Sequence, residues 1–189
     1  MNWIKNLLAL IGILTIGFFI YAGIVASQFD PKAKDVYLHM VSTLVETGDI
    51  AKATIHKVEV AENVSADDVV ESLNSIANEM GIKPVGDLPL SKEVEARTGK
   101  KQPYVRVLSY CHPNIAVDMV KFSMAYGAYL PCRIVVMEDS RTHRLWLYAL
   151  DMDMMIHGGH TLPPYMLEEG NKVKHILYTM MDKAASGEF

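Results

Sequence analysis

The chain has 189 residues, half of them hydrophobic, and a formal net charge of −4. This length suits one domain with an added element. The sequence has no lysine- or arginine-rich run, which excludes the basic stripe that a nucleic-acid-binding protein needs for its phosphate contacts. Its two cysteines are too few for a disulfide scaffold and do not form a C-x-x-C pair.

An apolar segment near the N-terminus predicts a membrane anchor. The stretch 7–26 is almost wholly apolar, and no charged residue occurs from Asn6 to Phe29. Twenty helical residues extend ~30 Å, which is the thickness of the hydrocarbon core of a bilayer. A cleavable signal peptide usually has a shorter apolar region of ~7–15 residues, followed by a better cleavage site than residues 24–26. We therefore expect an uncleaved single-pass anchor over 1–29, rather than a signal peptide or a buried helix.

The charges that flank this segment favour an exported C-terminal domain. Lys5 precedes the apolar run, and Lys32 and Lys34 follow it, so the basic residues nearly balance. A short N-terminal tail with one lysine usually stays on the cytoplasmic side. We expect the rest of the chain on the periplasmic or extracytoplasmic side.

The next two segments have a helix pattern and then a strand pattern. Residues 30–52 place apolar side chains at helical spacing up to Gly48, which predicts an amphipathic linker helix. Residues 53–61 alternate between apolar and polar, with His56 on the apolar side, which predicts a strand.

A capped helix and two strands follow. Ser65 and Asp68 form a capping box, and Gly81 suits the left-handed position after the helix. The stretch 82–90 predicts a short strand broken by prolines, and 104–111 predicts a longer one. The polar residues between them predict one or two helical turns and a loop.

The next elements are a helix and a hairpin. The helix begins at Pro113 or Asn114 and ends at Gly127. The strand 133–139 has four consecutive apolar residues, which predicts that it has no solvent-exposed face, and 144–150 is its hairpin partner.

A last helix over 164–185 completes the order β-α-β-β-α-β-β-α. This order predicts an α+β domain, a two-layer sandwich of helices on a mostly antiparallel sheet, preceded by the transmembrane helix. We expect three parts: the anchor 1–29, the linker helix 30–52 and the α+β domain 53–189.

The two thiols are the first candidates for chemistry. Cys111 ends a strand just before a helix start, where backbone N–H groups and the helix dipole favour a thiolate that His112 would assist. Cys132 is followed by Arg133, which also favours an anion. Three roles stay open for these cysteines: small buried hydrophobic residues, reactive thiols, and metal ligands. A reactive thiol would alkylate below pH 7.

A disulfide between the cysteines is not expected if the strands are parallel. The strand 104–111 extends ~23 Å, and the helix 113–126 returns over ~20 Å. That path leaves Cys132 near the start of the strand, whereas a disulfide needs Cα atoms within about 7 Å.

The stretch 151–166 combines methionines and histidines that favour copper or another transition metal. Met152, Met154, His157 and His160 supply thioether and imidazole groups, which Cu(I) prefers. The two histidines flank a Gly-Gly pair in a loop that we expect to be exposed, where solvated histidines are the alternative. The absence of C-x-x-C-H excludes covalent haem but leaves axial ligation of non-covalent haem open.

The two methionines also fit a core position. If the hairpin strand continues past residue 150, alternate side chains share one face that would pack against the helices, with methionine as filler. The residues of this face are Trp146, Tyr148, Leu150, Met152 and Met154.

Several blocks resemble the domain of unknown function 302 family. These are His112-Pro113 at a helix start, Leu130-Pro131-Cys132 followed by a basic residue and an apolar strand, and the helix "VSADDVVESLNSIANEMGIKPVG". The resemblance covers roughly residues 53–185 and implies a compact α+β fold without an assigned reaction. The endings "MMIHGGHTLPP" and "KAASGEF" are similar to a subset of the family associated with sulfur-oxidising bacteria.

Three functions are consistent with the sequence. The leading one is a membrane-tethered, non-catalytic module that binds a small ligand or a metal, as a homodimer or as an accessory subunit. Its site would combine the two thiols and His112 with His157 and His160, if the loops converge. The second is an enzyme or carrier that handles thiols or persulfides through Cys111 or Cys132. The third is a structural subunit of a membrane complex.

Overall fold

The computed structural model describes residues 2–188 and contains a five-stranded sheet in the order β1-β5-β4-β3-β2. Every neighbouring pair of strands in this sheet is antiparallel. The strands are β1 (Ile55–Glu59), β2 (Lys83–Leu88), β3 (Val105–Cys111), β4 (Cys132–Glu138) and β5 (Leu145–Leu150).

Helices precede and connect the strands in the described part of the chain. They are α1 (Asn2–Ala26), α2 (Ala33–Thr47), α3 (Ala66–Glu79), α4 (Leu90–Thr98), α5 (Pro113–Phe122), α6 (Met152–His157) and α7 (Pro164–Ser186). Short 3-10 turns occupy Lys52–Thr54 and Met124–Tyr129. The predicted α+β class and the predicted succession of five strands along the chain are confirmed.

The core lies between one face of the sheet and the helices α3 and α7. Alternation along each strand directs every second side chain to this face, and the helices cover it with apolar stripes. Its fully buried side chains include Leu73, Leu108, Tyr110, Ile134, Leu147 and Met180.

The opposite face of the sheet is only partly covered. In β4, Ile134 and Val136 are buried, whereas Val135 and Met137 keep intermediate exposure. The prediction that this strand has no solvent-exposed face is therefore wrong. Four apolar residues in a row hide the alternation, because both faces of the strand are apolar but only one carries helices.

Local signals placed the ends of α3 correctly. The Ser65 side chain accepts from the Asp68 N–H, and the Asp68 carboxylate accepts from the Ser65 N–H, so the capping box is present. Gly81 follows at φ +75°, a left-handed backbone that glycine adopts without steric cost.

The helix α5 is shorter than predicted. It ends at Phe122 because Ser123 has extended backbone angles, and a 3-10 turn replaces the predicted last turn up to Gly127. This turn directs Tyr126 towards α6, where its hydroxyl donates to the Met155 carbonyl oxygen at 3.4 Å.

The hairpin strand does not continue past Leu150. The Asp151 side chain accepts from the Asp153 N–H at 2.9 Å and begins α6. The predicted period-two core face is wrong: Leu147 and Ala149 point into the core, while Trp146, Tyr148 and Leu150 lie on the less covered side. Met152 is buried as expected, but from a helix, and Met154 is only half-buried.

The helix α1 stands apart from the core. Within Trp3–Ala26, the most apolar window has a mean hydropathy of 2.5, and none of that window is buried. Within residues 2–188, this is the one helix long and apolar enough to cross a membrane by length and composition.

Candidate functional site

Two small cavities meet at Cys132, the first residue of β4. Each has a volume of about 30 Å³. The first, which we call the Arg133 cavity, is lined by Tyr129, Pro131, Cys132, Arg133, Leu150, Asp151, Met152, Met155 and Leu177. The second, the His112 cavity, is lined by Tyr110, Cys111, His112, Ile115, Ala116, Met119, Tyr126, Tyr129, Leu130, Cys132, Met152, Met155 and Val173.

Cysteine and methionine residues line these cavities. Cys132, Met152 and Met155 line both of them, and Cys111 and Met119 line the His112 cavity. Met152 and Met155 share a face because they are three residues apart in α6. The two cavities therefore bring two thiols and three thioethers to one region.

Antiparallel pairing explains why the two cysteines are neighbours. The register of β3 and β4 places Tyr110 opposite Cys132, so Cys111 is one residue beyond that pair. The prediction placed Cys132 near the start of β3, because it assumed a parallel crossover. That prediction is wrong, because β3 and β4 are antiparallel. Both cysteines are nevertheless free thiols in the described part of the chain.

Burial dominates the electrostatics of both thiols. It raises the pKa of Cys111 above its ordinary value. Burial is also the largest cause of the raised pKa of Cys132, and the nearby Cys111 raises it further. Arg133 lowers this pKa by a smaller amount. Both pKa values are therefore raised, whereas the helix start and Arg133 predicted lowered values and a thiolate. The reason is that removal from water penalises the charged form.

His112 lies between the second cavity and an open groove. It is the residue that precedes the first turn of α5, and its Nδ1 atom is buried without a hydrogen-bond partner in residues 2–188. The groove has a volume of about 300 Å³ and separates α5 from α7. Its polar lining consists of His112, Asn114, Asp118, Glu168, Glu169 and Lys172.

A hydrogen-bonded pair fixes the methionine-bearing helix at the cavities. The Tyr178 hydroxyl accepts from the Met152 N–H and donates to the Asp151 carboxylate, both at 3.2 Å. The Tyr178 ring stacks on His56, with 3.8 Å between ring centroids. Burial raises the pKa of Tyr178, so its hydroxyl stays protonated and holds the start of α6 in place.

The family model described as a domain of unknown function, DUF302, matches residues 56–184. The chain belongs to this family. A crystal structure of an uncharacterized conserved protein DUF302 from Bacillus stearothermophilus is similar, with 15% sequence identity and a TM-score of 0.58. The match covers 69% of this chain and 98% of that chain, and at this identity it concerns the fold alone. No curated protein matches the chain.

Both cavities lie within the DUF302 domain, whereas α1 and α2 precede it. The family description assigns no reaction, metal or ligand to the domain. The chemistry of the site therefore depends on the residues of this chain.

The two histidines of the Gly-Gly loop do not join the DUF302 cavities. His157 is 3% exposed, and its Nδ1 atom lies 3.2 Å from the Oδ1 atom of Asp30. The geometry does not make a hydrogen bond, so the two buried side chains are in contact without one. His160 is exposed and stacks on Phe29, with 5.3 Å between ring centroids. The expectation of two solvated loop histidines is wrong for His157, because the linker after α1 covers it.

These contacts define a joint between the linker and the DUF302 domain. We use the name for Phe29 and Asp30 on one side and residues 157–160 on the other. The Asp30 N–H donates to the Gly159 carbonyl oxygen at 2.8 Å, and Phe29 forms an isolated β-bridge with His160. The two histidines that the sequence suggested as metal ligands therefore belong to the loop that contacts the linker.

A metal centre of nitrogen and oxygen ligands is not formed in the described residues. Within residues 2–188, no group of three or more histidine, cysteine, aspartate or glutamate side chains could hold a metal ion. Among the proposed metal ligands, Met152 reaches the cavities, while Met154, His157 and His160 line neither.

Met155 is the residue that sequence reasoning missed. A strand interpretation places it on the opposite side from Met152, whereas a helix interpretation places both on one side. The available signal was Asp151, because aspartate is a favoured N-cap residue and its side chain here begins α6.

Proposed function

We propose that this protein is a membrane-tethered binding protein for a single soft metal ion, with Cu(I) as the best fit. The observation that carries the proposal is the convergence of two thiols and three thioethers on cavities that share Cys132, Met152 and Met155. Thiolate and thioether ligands select Cu(I) over harder divalent ions.

The size of the cavities supports an ion rather than an organic ligand. Each cavity has a volume of about 30 Å³. A site for one water molecule needs ~10–15 Å³ on this measure. Pockets for drug-sized organic ligands are typically ~300–1,000 Å³. One ion bound between several sulfur atoms is the occupant that this space favours.

The protonation of the thiols argues against nucleophilic chemistry. Burial raises the pKa of both cysteines, which lowers the fraction of thiolate at neutral pH. A thiol enzyme or a sulfur carrier needs that thiolate before its substrate arrives. A metal ion held by Cys111 or Cys132 would take the place of the thiol proton, which would be released to solvent.

The open groove beside the His112 cavity favours cations. His112, Ile115 and Met119 line both the groove and the His112 cavity, so the two share a wall. Asp118, Glu168 and Glu169 in the groove outnumber its one lysine, Lys172. A surplus of carboxylates raises the local concentration of cations.

We also propose that α1 crosses the membrane and that the DUF302 domain faces the periplasm or another extracytoplasmic space. The length and apolar composition of α1 support the crossing. The single lysine in the short N-terminal tail supports the orientation. The anchor would keep a copper-binding domain at the surface of the membrane.

A competition titration tests the proposal. The detergent-solubilised full chain is titrated with Cu(I) against a chromophoric Cu(I) chelator, beside the variants Cys132→Ala and Met154→Leu. We expect one Cu(I) per chain. The Cys132 substitution should weaken binding by more than ~100-fold, since even outer-shell changes cost ~10–100-fold.

The Met154 variant is the matched control, since Met154 lies in the same helix but lines neither cavity. Its affinity should equal that of the unsubstituted chain. Failure of the unsubstituted chain to compete for Cu(I), or equal affinity in the Cys132 variant, would remove the site.

A further inference from the structure

The helix α2 has an apolar stripe that no part of the described chain covers. Leu38, Val41 and Val45 follow at helical spacing and are 56%, 48% and 81% exposed. Tyr37, 40% exposed, lies beside this stripe. Three aliphatic side chains in a row on a soluble surface need an apolar partner.

The stripe points away from the DUF302 domain. The other side of α2 carries Ala33, Val36, Met40 and Leu44, which are buried or partly buried. This side packs against α6 and the turn Lys52–Thr54. The polar residues of α2, including Asp35 and Glu46, lie on a third side. One apolar side of α2 therefore packs on its own domain, and a second apolar side is exposed. Such a helix suits a position between the domain and another apolar surface.

Contacts with the joint hold the start of α2 in a fixed orientation. The Tyr37 hydroxyl donates to the Gly158 carbonyl oxygen at 2.6 Å. The Lys32 N–H donates to the Asp30 carboxylate at 2.9 Å, and the Asp30 N–H donates to the Gly159 carbonyl oxygen, so the first turn is tied through Asp30 to the same loop. The direction of the stripe is therefore set by the fold.

The first turn of α2, from which the stripe continues, borders a cleft that faces α1. The cleft between the two helices is lined by Phe18, Tyr21 and Val25 from α1 and by Ala33, Lys34 and Tyr37 from α2. Positions 34, 37, 38, 41 and 45 follow one another along one side of α2, so the stripe continues the wall of this cleft. The first turn of α2 therefore lies beside the end of α1, and the stripe continues from it along the helix.

We infer that the stripe lies in the lipid surface from which α1 emerges. Leu38, Val41 and Val45 enter the boundary between headgroups and acyl chains, as the apolar face of an interfacial helix does. Lys32 and Lys34 at the start of α2 reach the phosphate groups. The inference rests on the proposed membrane anchor and adds a second, lateral contact that holds the DUF302 domain against the bilayer.

Tryptophan quenching by brominated lipids tests the inference. The full chain, with Trp3→Phe and Trp146→Phe, is reconstituted into phosphatidylcholine vesicles whose acyl chains carry bromine near the headgroup. A tryptophan is introduced at the stripe (Val45→Trp, or Leu38→Trp) or on the polar side of α2 (Glu46→Trp). We expect at least several-fold stronger quenching for both stripe variants than for the polar-side control.

Two kinds of failure are distinguishable. If the chain does not float with the vesicles in a density gradient, the anchor itself fails, and this inference fails with it. If the chain floats but the stripe and control tryptophans are quenched equally, only the interfacial position is overturned. A stripe that is shielded from lipid and crosslinks to a second copy would show that a protein covers it, which also overturns the inference.

Discussion

At the scale of single residues, the environment decides the chemistry more than the residue type does. The sequence identified Cys111, Cys132 and His112 as candidates, and the fold brings all three to one cavity. The sequence showed their neighbours, Arg133 and the start of α5. It did not show that the thiols are removed from water. Burial reverses the expected direction of both thiol pKa values.

This reversal predicts slow alkylation of the native cysteines. Because the folded-state pKa of each thiol is raised, the thiolate fraction stays small until the pH exceeds the ordinary thiol pKa of ~8.5. Iodoacetamide should modify neither cysteine appreciably below pH 7 in the native chain, and both rapidly after denaturation, as measured by mass spectrometry. Rapid native modification below pH 7 would restore the hypothesis of a reactive thiol.

His157 is predicted to stabilise the fold rather than to bind metal. Both His157 and Asp30 have side chains only 4% exposed, so His157→Ala removes a buried ring and leaves a cavity beside the Asp30 carboxylate, which keeps its bond from the Lys32 N–H. We expect a loss of about 1–3 kcal/mol in the free energy of unfolding. His160→Ala, at an exposed position, should cost ~0.5 kcal/mol.

Chemical denaturation of the two variants in detergent measures the difference. Equal, small effects would mean that the joint contributes nothing to stability. Loss of metal binding in the His157 variant at unchanged stability would return His157 to the list of ligands.

At the scale of elements, hydrophobic periodicity predicted the strands and the long helices. It failed at residues 151–157, where apolar residues are so frequent that both a period of two and a helical period fit. It also could not distinguish an antiparallel path from a parallel crossover between β3 and β4. That choice depends on the whole sheet, and it determined whether the two cysteines would be neighbours.

The end of α6 provides a prediction about packing. A Cβ atom at Gly158 would clash with the Met154 carbonyl oxygen and would lie 2.9 Å from the Met154 Sδ atom. At Gly159 nothing lies within 4 Å of the added atom. Gly158→Ala should therefore destabilise the protein by about 1–3 kcal/mol, as overpacking does.

Gly159→Ala is the matched control and should stay within ~0.5 kcal/mol of the unsubstituted chain. Thermal unfolding of the two variants side by side gives the comparison. A neutral Gly158 variant would show that the loop relaxes freely and does not fix the joint.

At the scale of the whole molecule, the sequence predicted the family and the apolar N-terminal helix, but not how they connect. The joint pairs residues 29–30 with residues 157–160, which are distant in the chain and share no local pattern. The stretch 151–166, which suggested a metal site in the sequence, contributes to two separate parts of the structure. Its methionine Met152 reaches the sulfur cavities, and its histidines hold the linker.

The joint makes the position of a truncation important. A chain that lacks residues 1–26 keeps Phe29 and Asp30, whereas a chain that lacks residues 1–31 loses both and leaves His157 without its partner. We expect the longer chain to melt several degrees higher, since ~1 kcal/mol corresponds to ~2–4 °C in a protein of this size. Differential scanning calorimetry in mild detergent measures this, and equal melting temperatures would contradict the described role of the joint.

We propose that sulfur atoms around Cys132 hold one soft metal ion, and the metal's own neighbours test this proposal. Copper K-edge X-ray absorption of the full chain loaded with one equivalent of Cu(I) observes the neighbours of the metal directly. We expect a first shell made mainly of sulfur, which loses a sulfur neighbour or its copper in the Cys132→Ala variant. A first shell of nitrogen and oxygen alone, or a spectrum unchanged by that substitution, would contradict the claim.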